Sequence, residues 1–157
     1  MQVINFSEIE LSVFKILNKH EVEYLLVGGC AMKFFGMDHE IEDVDLFINR
    51  SPVNARKLSD ALVELNAPRV RVEDLAKPKK YIRFLHQGIQ FDMFTSFDGV
   101  EFSQAFAGHL VIRENGVPIT VMAAGDLIAM KERLLEKTLR QAEKEQRDIE
   151  FLKKYPL

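Results

Sequence analysis

Two aspartates separated by a single residue carry the clearest chemical signal in this 157-residue sequence. They lie in segment 43–48, Asp-Val-Asp-Leu-Phe-Ile, whose other residues are apolar and predict a buried strand. Because side chains alternate along a strand, the carboxylates of Asp43 and Asp45 point to one face of the sheet. Buried like charges repel each other, so a cation must compensate or one carboxylate must bind a proton. A magnesium ion is the simplest compensation, because it prefers oxygen ligands and accepts substrate phosphates as further ligands.

Asp92 is the candidate third carboxylate. The segment Ile89 to Phe94 predicts a strand in which Gln90 and Asp92 share one face and the flanking apolar residues take the other. With two metal-binding carboxylates and a third nearby, the suggested chemistry is in-line phosphoryl or nucleotidyl transfer. The third carboxylate can also serve as general base toward an acceptor hydroxyl.

A pair of glycines, Gly28 and Gly29, separates a predicted buried strand over 24–27 from a predicted short helix over 30–35. At such a junction the backbone N–H groups favour an anion, and the missing side chains let a phosphate approach closely. Alone, the pair favours an ordinary tight turn over a phosphate site. Lys33 lies one turn further along the helix, where it faces either phosphate or solvent.

The spacing of these motifs resembles the signature of the nucleotidyltransferase superfamily, the polymerase-beta-like proteins. That signature is a hydrophobic residue and two small residues, as in Val27-Gly28-Gly29, then a spacer and an Asp-x-Asp between apolar residues. Residues 24–36 are similar to the opening of small bacterial members related to the abortive-infection toxins. Asp92 stands where these proteins have their third carboxylate, and residues 126–131 and 147–152 resemble their C-terminal helices.

The resemblance implies a fold and a site. The fold is α/β (α+β), with a mixed β-sheet flanked by helices and with C-terminal helices. The activity is transfer of a nucleoside monophosphate from a nucleoside triphosphate, dependent on Mg²⁺ or Mn²⁺, with release of pyrophosphate. The implied catalytic and metal-binding residues are Asp43, Asp45 and Asp92, and the implied nucleotide-binding residues are Gly28, Gly29, Lys33 and Lys131.

Two positions depart from the pattern of that subgroup. His39 and Ile41 stand where an Arg and a Thr are common, and neighbouring Glu40 and Glu42 add negative charge. Three hypotheses therefore stay open. The first is an active enzyme whose acceptor is an RNA end, a protein hydroxyl or a small molecule such as an aminoglycoside. The second is a weak or inactive nucleotide-binding or regulatory domain, and the third is a toxin-antitoxin component acting through a cognate partner protein.

The composition fits a folded protein with one domain over residues 1–157, since 47% of the residues are hydrophobic and 29% are charged. With a formal net charge of -3, the molecule as a whole does not attract nucleic acid or an acidic membrane. Between Arg69 and Arg83, six basic residues accompany only Glu73 and Asp74. This pattern favours a solvated loop over a polyanion-binding patch.

Cys30 is the only cysteine, so no disulfide forms within the chain, and we interpret it as a small buried residue. No apolar run reaches the length of a membrane span, and the first residues lack the pattern of a signal peptide. We therefore expect a cytoplasmic protein that does not contact the membrane.

Several local signals predict the elements that position the aspartates. Ser7 and Glu10 form a capping box for a first helix, and Ser51-Pro52 begins another. Turns at 86–88 and 114–116 predict two hairpins. Residues 126–154 are helical in pattern, with no Gly or Pro to mark a break, and Asp148 is expected in an ion pair on the helix surface. Strands followed by helices in this order indicate a mixed sheet.

Overall fold

The computed structural model describes residues 3–37, 43–135 and 142–154. Its elements follow the predicted order, with two short helices added. They are α1 Glu8–Lys19, β1 Tyr24–Val27, α2 Gly28–Phe34, β2 Asp43–Ile48, α3 Pro52–Glu64, α4 Val72–Leu75, β3 Tyr81–His86, β4 Ile89–Phe94, α5 Phe102–Ala107, β5 Leu110–Glu114, β6 Val117–Val121, α6 Ala124–Leu135 and α7 Ala142–Lys154.

The six strands found in the described residues form one mixed sheet in the order β3-β4-β2-β1-β6-β5. Strands β2 and β4 are parallel, as are β1 and β6, whereas β1 and β2 and the two hairpins are antiparallel. The predicted α/β architecture with a mixed sheet and flanking helices is therefore confirmed. Within the described ranges, no helix combines the length and the apolar character that crossing a membrane requires.

The register of the central strands determines which side chains meet. Asp45 lies opposite Asp92 across the parallel β2–β4 pair, and Asp43 lies opposite Gln90. On the other side of β2, Asp45 lies opposite Val27, the residue that ends β1. Because paired residues project from the same face, the aspartates of β2 and β4 must share a face.

The opposite face of the sheet holds a hydrophobic core. Val44, Leu46 and Phe91, which alternate with the aspartates, are fully buried. The ring of Phe14 on α1 lies edge-on to Phe91, with centroids 6.4 Å apart. Helix α1 therefore covers the face away from the aspartates. Each such buried side chain contributes about 1.5–3 kcal/mol to stability.

Polar side chains fix the helices to the sheet. The predicted capping box of α1 is present, with the Ser7 backbone N–H donating to Glu10 Oε1 at 2.9 Å. At the start of α3, the buried Asn54 side chain accepts from the backbone N–H of Glu23 at 2.7 Å and donates to the backbone oxygen of Asn49 at 2.6 Å. These bonds hold α3 against the outer ends of β1 and β2.

The end of β5 fastens the segment that precedes α1. Glu114, predicted to lie in a hairpin turn, is instead the last residue of β5 and is buried. Its carboxylate accepts the backbone N–H groups of Ile4 at 3.1 Å and Phe6 at 2.9 Å. These two bonds satisfy a carboxylate that burial would otherwise penalise.

The C-terminal pattern forms two packed helices, α6 and α7, and residues 136–141 between them lie outside the described ranges. The Lys131 ammonium lies 3.0 Å from Glu145 and 2.9 Å from Asp148, and all three side chains are buried. The predicted surface position of Asp148 is therefore wrong. Helical periodicity identified its face only within α7, whereas the packing of α6 against α7 buries that face.

Candidate active site

Three carboxylates converge on the face of the sheet that α1 leaves uncovered. Asp43 and Asp45 from β2 and Asp92 from β4 each offer an oxygen, and these oxygens lie within 4.8 Å of one another. Asp92 is 3% exposed, whereas the two aspartates of β2 are half-buried. The predicted convergence is confirmed, because the parallel register places Asp92 beside Asp45. The roles assigned to the three residues stay predictions.

Asp92 is held by three side-chain donors. Its Oδ1 accepts the Tyr81 hydroxyl and Arg83 Nε, each at 2.9 Å. Its Oδ2 accepts Gln90 Nε2 at 3.0 Å, and the same amide group donates to Asp43 Oδ2 at 3.3 Å. Burial opposes ionisation, but the bonds from Gln90, Arg83 and Tyr81 outweigh it and hold the pKa of Asp92 below its usual value. Asp92 is therefore ionised at neutral pH.

Tyr81 and Arg83 are site residues that the sequence analysis missed. Both lie on β3, where Arg83 is the direct partner of Asp92 and Tyr81 shares its face. The guanidinium of Arg83 lies 5.4 Å from the centre of the Tyr81 ring. The predicted turn at 86–88 would pair Arg83 with Phe91, whereas β3 extends to His86 and the turn is Gln87-Gly88, which pairs Arg83 with Asp92.

Gly28 lies directly against Asp45. Its φ of +67° belongs to the left-handed region, and a Cβ added there would lie 2.3 Å from Asp45 Oδ2. A glycine is therefore required both by the backbone conformation and by the nearby carboxylate. Gly29 follows as the second residue of α2, which begins without a side-chain cap. Phosphate binding by the two glycines stays a prediction.

The predicted lysines occupy different surroundings. Lys33 is half-buried on α2, one turn from the two glycines. Lys131 is buried between α6 and α7 with Glu145 and Asp148, so its ion partners lie outside the carboxylate triad. Its predicted contact with a triphosphate stays a prediction. His39 and Ile41, the two departures from the subgroup pattern, lie outside the described residues.

Cys30 has the structural role that was predicted for it. Its thiol is completely buried and faces the backbone oxygen of Asp43 at 3.6 Å. Burial raises the pKa of this thiol far above its usual value, with smaller contributions from nearby carboxylates. A reactive thiolate is therefore disfavoured, and Cys30 serves to pack α2 against β2.

Residues 6–154 match a protein family described as nucleotidyl transferase of unknown function (DUF2204). No curated protein matches the chain significantly by sequence. The family match confirms the superfamily inferred from the glycine and aspartate motifs, while the link to abortive-infection toxins stays a prediction.

Solved structures with nucleotidyltransferase folds superpose on most of the chain. The protein ANT(2")-Ia, solved in complex with adenylyl-2"-tobramycin, gives a TM-score of 0.60 at 12% identity, covering 91% of this chain and 87% of its own. A Thermotoga maritima protein assigned as a nucleotidyltransferase gives 0.57 at 17% identity, covering 90% and 89%. An antigenic nucleotidyltransferase-like protein from Paracoccidioides brasiliensis gives 0.54 at 15% identity, covering 90% and 72%. At these identities the likeness establishes the fold.

Proposed function

The chain belongs to the nucleotidyl transferase family that matches residues 6–154, and from this premise we propose that it transfers a nucleoside monophosphate from a nucleoside triphosphate to a hydroxyl acceptor. Asp43, Asp45 and Asp92 are the proposed catalytic and metal-binding residues. The observation that supports this proposal is their convergence, with oxygens within 4.8 Å of one another on one face of the sheet. Carboxylates brought this close repel one another unless a cation joins them.

The donor set fits a divalent metal. All three side chains offer hard oxygen atoms, which Mg²⁺ and Mn²⁺ prefer, and the two β2 carboxylates remain partly accessible. When bound, such an ion stabilises negative charge on the attacking and leaving oxygens of an in-line displacement. We assign the holding of this ion to Asp43, Asp45 and Asp92.

The contacts of Asp92 bear on its role. A carboxylate whose pKa is held low by Gln90, Arg83 and Tyr81 is a weak general base. The same bonds fix its orientation and keep it ionised, which suits a metal ligand. We therefore favour the ligand role of Asp92 over the general-base role.

The proposed nucleotide contacts lie on the β1 side of Asp45, opposite the side on which β4 carries Asp92. Gly28 and Gly29 present a backbone without side chains at the start of α2, where we place the phosphates, and Lys33 lies on the same helix. The fourth proposed contact, Lys131, requires its ammonium to leave two buried carboxylates. Nucleotide binding through Lys131 would therefore have to compensate for the loss of a buried ion pair.

A thermal-shift measurement tests the proposal. Magnesium with a triphosphate should raise the melting temperature of the wild type, because a ligand that binds only the folded state stabilises it. Asp45→Asn should lose this rise, since a neutral amide is a poor ligand for the ion. The matched control is Asp60→Asn on the surface of α3, which removes one carboxylate of an exposed ion pair and should keep the rise.

Pyrophosphate release separates an enzyme from a binding module. The four ribonucleoside triphosphates are tested in turn, and an active transferase should release pyrophosphate from at least one of them once its acceptor is supplied. A saturable thermal shift without release from any acceptor pool would favour a nucleotide-binding or regulatory domain. Equal stabilisation of the wild type and Asp45→Asn would contradict the metal site itself.

A further inference from the structure

A cleft of about 400 Å³ lies between the end of β4 and helix α6, beginning two residues after Asp92 along the strand. Phe94, two residues after Asp92 and on the same face of β4, forms part of its wall. We name this space the β4–α6 cleft. The residues that define it here are Lys79, Phe94, Phe97, Met130, Arg133 and Leu134.

A row of aromatic rings leads from the carboxylate triad into the β4–α6 cleft. Tyr81, whose hydroxyl donates to Asp92, has its ring centre 5.0 Å from that of Phe94. The ring of Phe97 follows at 4.9 Å from Phe94. Tyr81 is 47% exposed and the two phenylalanines are half-buried, so the row is accessible from solvent. Such a row is a stacking surface for flat, aromatic ligands, including nucleobases.

Positive charge borders this aromatic row. Lys79 and Arg133 line the β4–α6 cleft, where Asp98 also lies. The segment from Arg69 to Arg83 carries six basic residues and two acidic ones, in a chain whose net charge is -3. Of the two acidic residues, Asp74 is shared by the cations of Arg71, Lys77 and Lys80 at 3.4–4.0 Å. Arg69 and Arg71 line a separate pocket against α3, and Arg83 pairs with Asp92. The positive charge of the cleft wall therefore comes from Lys79 and Arg133.

The position of the cleft fits an acceptor. Gly28, where we place the triphosphate, directly follows β1, and β2 and β4 carry the triad between β1 and β3. In an in-line displacement the attacking hydroxyl and the leaving pyrophosphate lie on opposite sides of the phosphorus. On the β3 and β4 side of the triad, an acceptor would meet Tyr81 and Arg83 beside Asp92, and Phe94 and Lys79 in the wall of the cleft.

We propose that the β4–α6 cleft binds the 3′-terminal nucleotide of a single-stranded polynucleotide, which is the acceptor. This inference rests on the proposed function. The 3′-hydroxyl oxygen forms a bond to the α-phosphorus of the triphosphate, and the bond from that phosphorus to the pyrophosphate oxygen breaks. Pyrophosphate leaves, and the hydroxyl proton is released to solvent. The sequence pattern alone favoured a solvated loop for the basic segment; of its basic residues, Lys79 lines the cleft and is the one proposed to contact the polynucleotide.

An aminoglycoside acceptor fits the cleft less well than a nucleotide. An aminoglycoside is a polycation, so Lys79 and Arg133 in the cleft wall would repel it. A single nucleotide suits the volume, which is at the lower end of the roughly 300–1,000 Å³ of ligand pockets. Stacking on Phe94 together with phosphate contacts to lysine is the combination that binds single strands without sequence preference.

Binding of labelled oligonucleotides tests the inference directly. Fluorescence anisotropy with short single-stranded RNA and DNA of one sequence, without triphosphate or metal, should reveal binding that weakens with salt. Phe94→Leu should lower the affinity about tenfold by removing the stacking surface. Lys79→Glu should reduce the steepness of log Kd against log salt by about 0.7 for each lost phosphate contact. The stronger of the RNA and DNA complexes identifies the physiological strand.

The matched control is Lys15→Glu. Lys15 is exposed on α1, which covers the opposite face of the sheet, so the same charge reversal there should leave binding unchanged. Equal weakening by Lys15→Glu and Lys79→Glu would overturn the cleft as the binding site, as would undiminished binding by folded Phe94→Leu and Lys79→Glu. Each variant is first shown to keep the wild-type melting transition.

The outcome is separable from that of the proposed function. If magnesium triphosphate stabilises the protein but no oligonucleotide binds, the inference fails and the transfer activity stands. If an amino sugar is adenylylated in place of an oligonucleotide end, the inference is likewise overturned. Oligonucleotide binding with the expected variant effects, but without any triphosphate shift, refutes the proposed function and retains the cleft as a polynucleotide site.

Discussion

Two clusters of charge in this protein are compensated in different ways. At the sheet face, three carboxylates lie beside Arg83, whose side chain is 56% exposed. Between α6 and α7, two carboxylates share the ammonium of Lys131, and all three side chains are almost completely buried. The first cluster is open to a cation from solvent, whereas the second is closed by a charge of the chain itself.

We expect the carboxylates at the sheet face to matter chiefly for activity, and the ion cluster between α6 and α7 chiefly for stability. Neutralising a carboxylate of the open cluster relieves repulsion in the free protein and removes a ligand. Removing the lysine of the closed cluster leaves two buried negative charges without a cation. A substitution at the sheet face should therefore cost activity and spare the fold, and one between the helices should do the reverse.

The largest expected effect is on stability, from Lys131→Met. Loss of the ammonium leaves Glu145 and Asp148 buried in the α6–α7 interface without the cation of Lys131. The free energy of unfolding, measured by urea titration, should therefore fall by about 3–5 kcal/mol. The control is Lys153→Met, whose exposed ammonium is 4.0 Å from Glu132 and should contribute almost nothing. If Lys131→Met keeps the stability of the wild type and loses only triphosphate binding, the structural role of this ion cluster is contradicted and Lys131 belongs to the nucleotide site.

The next effect is on transfer, from Asp45→Asn. The rate of nucleotidyl transfer should fall about 100-fold or more, because one of three ligand carboxylates is lost. Its melting temperature without ligand should equal or exceed that of the wild type, since repulsion with Asp43 and Asp92 falls. A marked destabilisation of the free protein would mean that the carboxylates already compensate each other in the folded chain.

A smaller effect on both properties is expected from Gly28→Ala. The new methyl group would meet Asp45 Oδ2, and alanine disfavours a φ of +67°, so stability should fall by about 1–3 kcal/mol. Displacement of Asp45 should also weaken the magnesium-dependent thermal shift. Gly88→Ala serves as control, because that position also has positive φ but no heavy atom near an added Cβ. An equal loss in both variants would assign the effect to backbone strain alone.

The smallest effect is expected from Tyr81→Phe, which removes one donor to Asp92. The pKa of Asp92 should rise toward its usual value, as a carbon-13 NMR titration of the carboxyl would record. A carboxylate with a depressed folded pKa contributes stability above its unfolded pKa and loses it as pH falls through the folded pKa. Tyr81→Phe should therefore lose less than about 1 kcal/mol at neutral pH and nothing at pH below the folded pKa. A loss independent of pH would show that packing of the ring, not the bond to Asp92, is responsible.

The sequence was sufficient for the elements that carry the triad. Segment 43–48 has an uninterrupted strand pattern, and the alternation along 89–94 placed Asp92 on the correct face. Both signals are local, because side-chain direction follows from the period of the strand. The pairing of β2 with β4 is a long-range contact that was not predicted. Only the convergence of Asp92 with Asp43 and Asp45 was predicted, from the alternation of strand faces and the resemblance to the superfamily.

The features that were missed depend on contacts between elements. Tyr81 and Arg83 reach Asp92 only through the register of the β3–β4 hairpin. Asp148 looked like a surface residue because periodicity within one helix does not reveal what packs on it. The short helices α4 and α5 contain too few residues for a periodic pattern to stand out.

Because segment 4–6 bonds to Glu114 at the end of β5, these contacts cannot form until most of the chain has been synthesised. Ile4 and Glu114 are 110 residues apart in sequence, and β1 pairs on one side with β6, close to the C-terminal helices. A ribosome adding about 5–20 residues per second needs roughly 5–20 s to produce the partner of a strand that has already emerged. During that time the backbone N–H and C=O groups along one edge of β1 can form hydrogen bonds only with water or a chaperone. Contacts this distant also slow refolding, so the nascent chain, not the finished enzyme, is the form most exposed to aggregation.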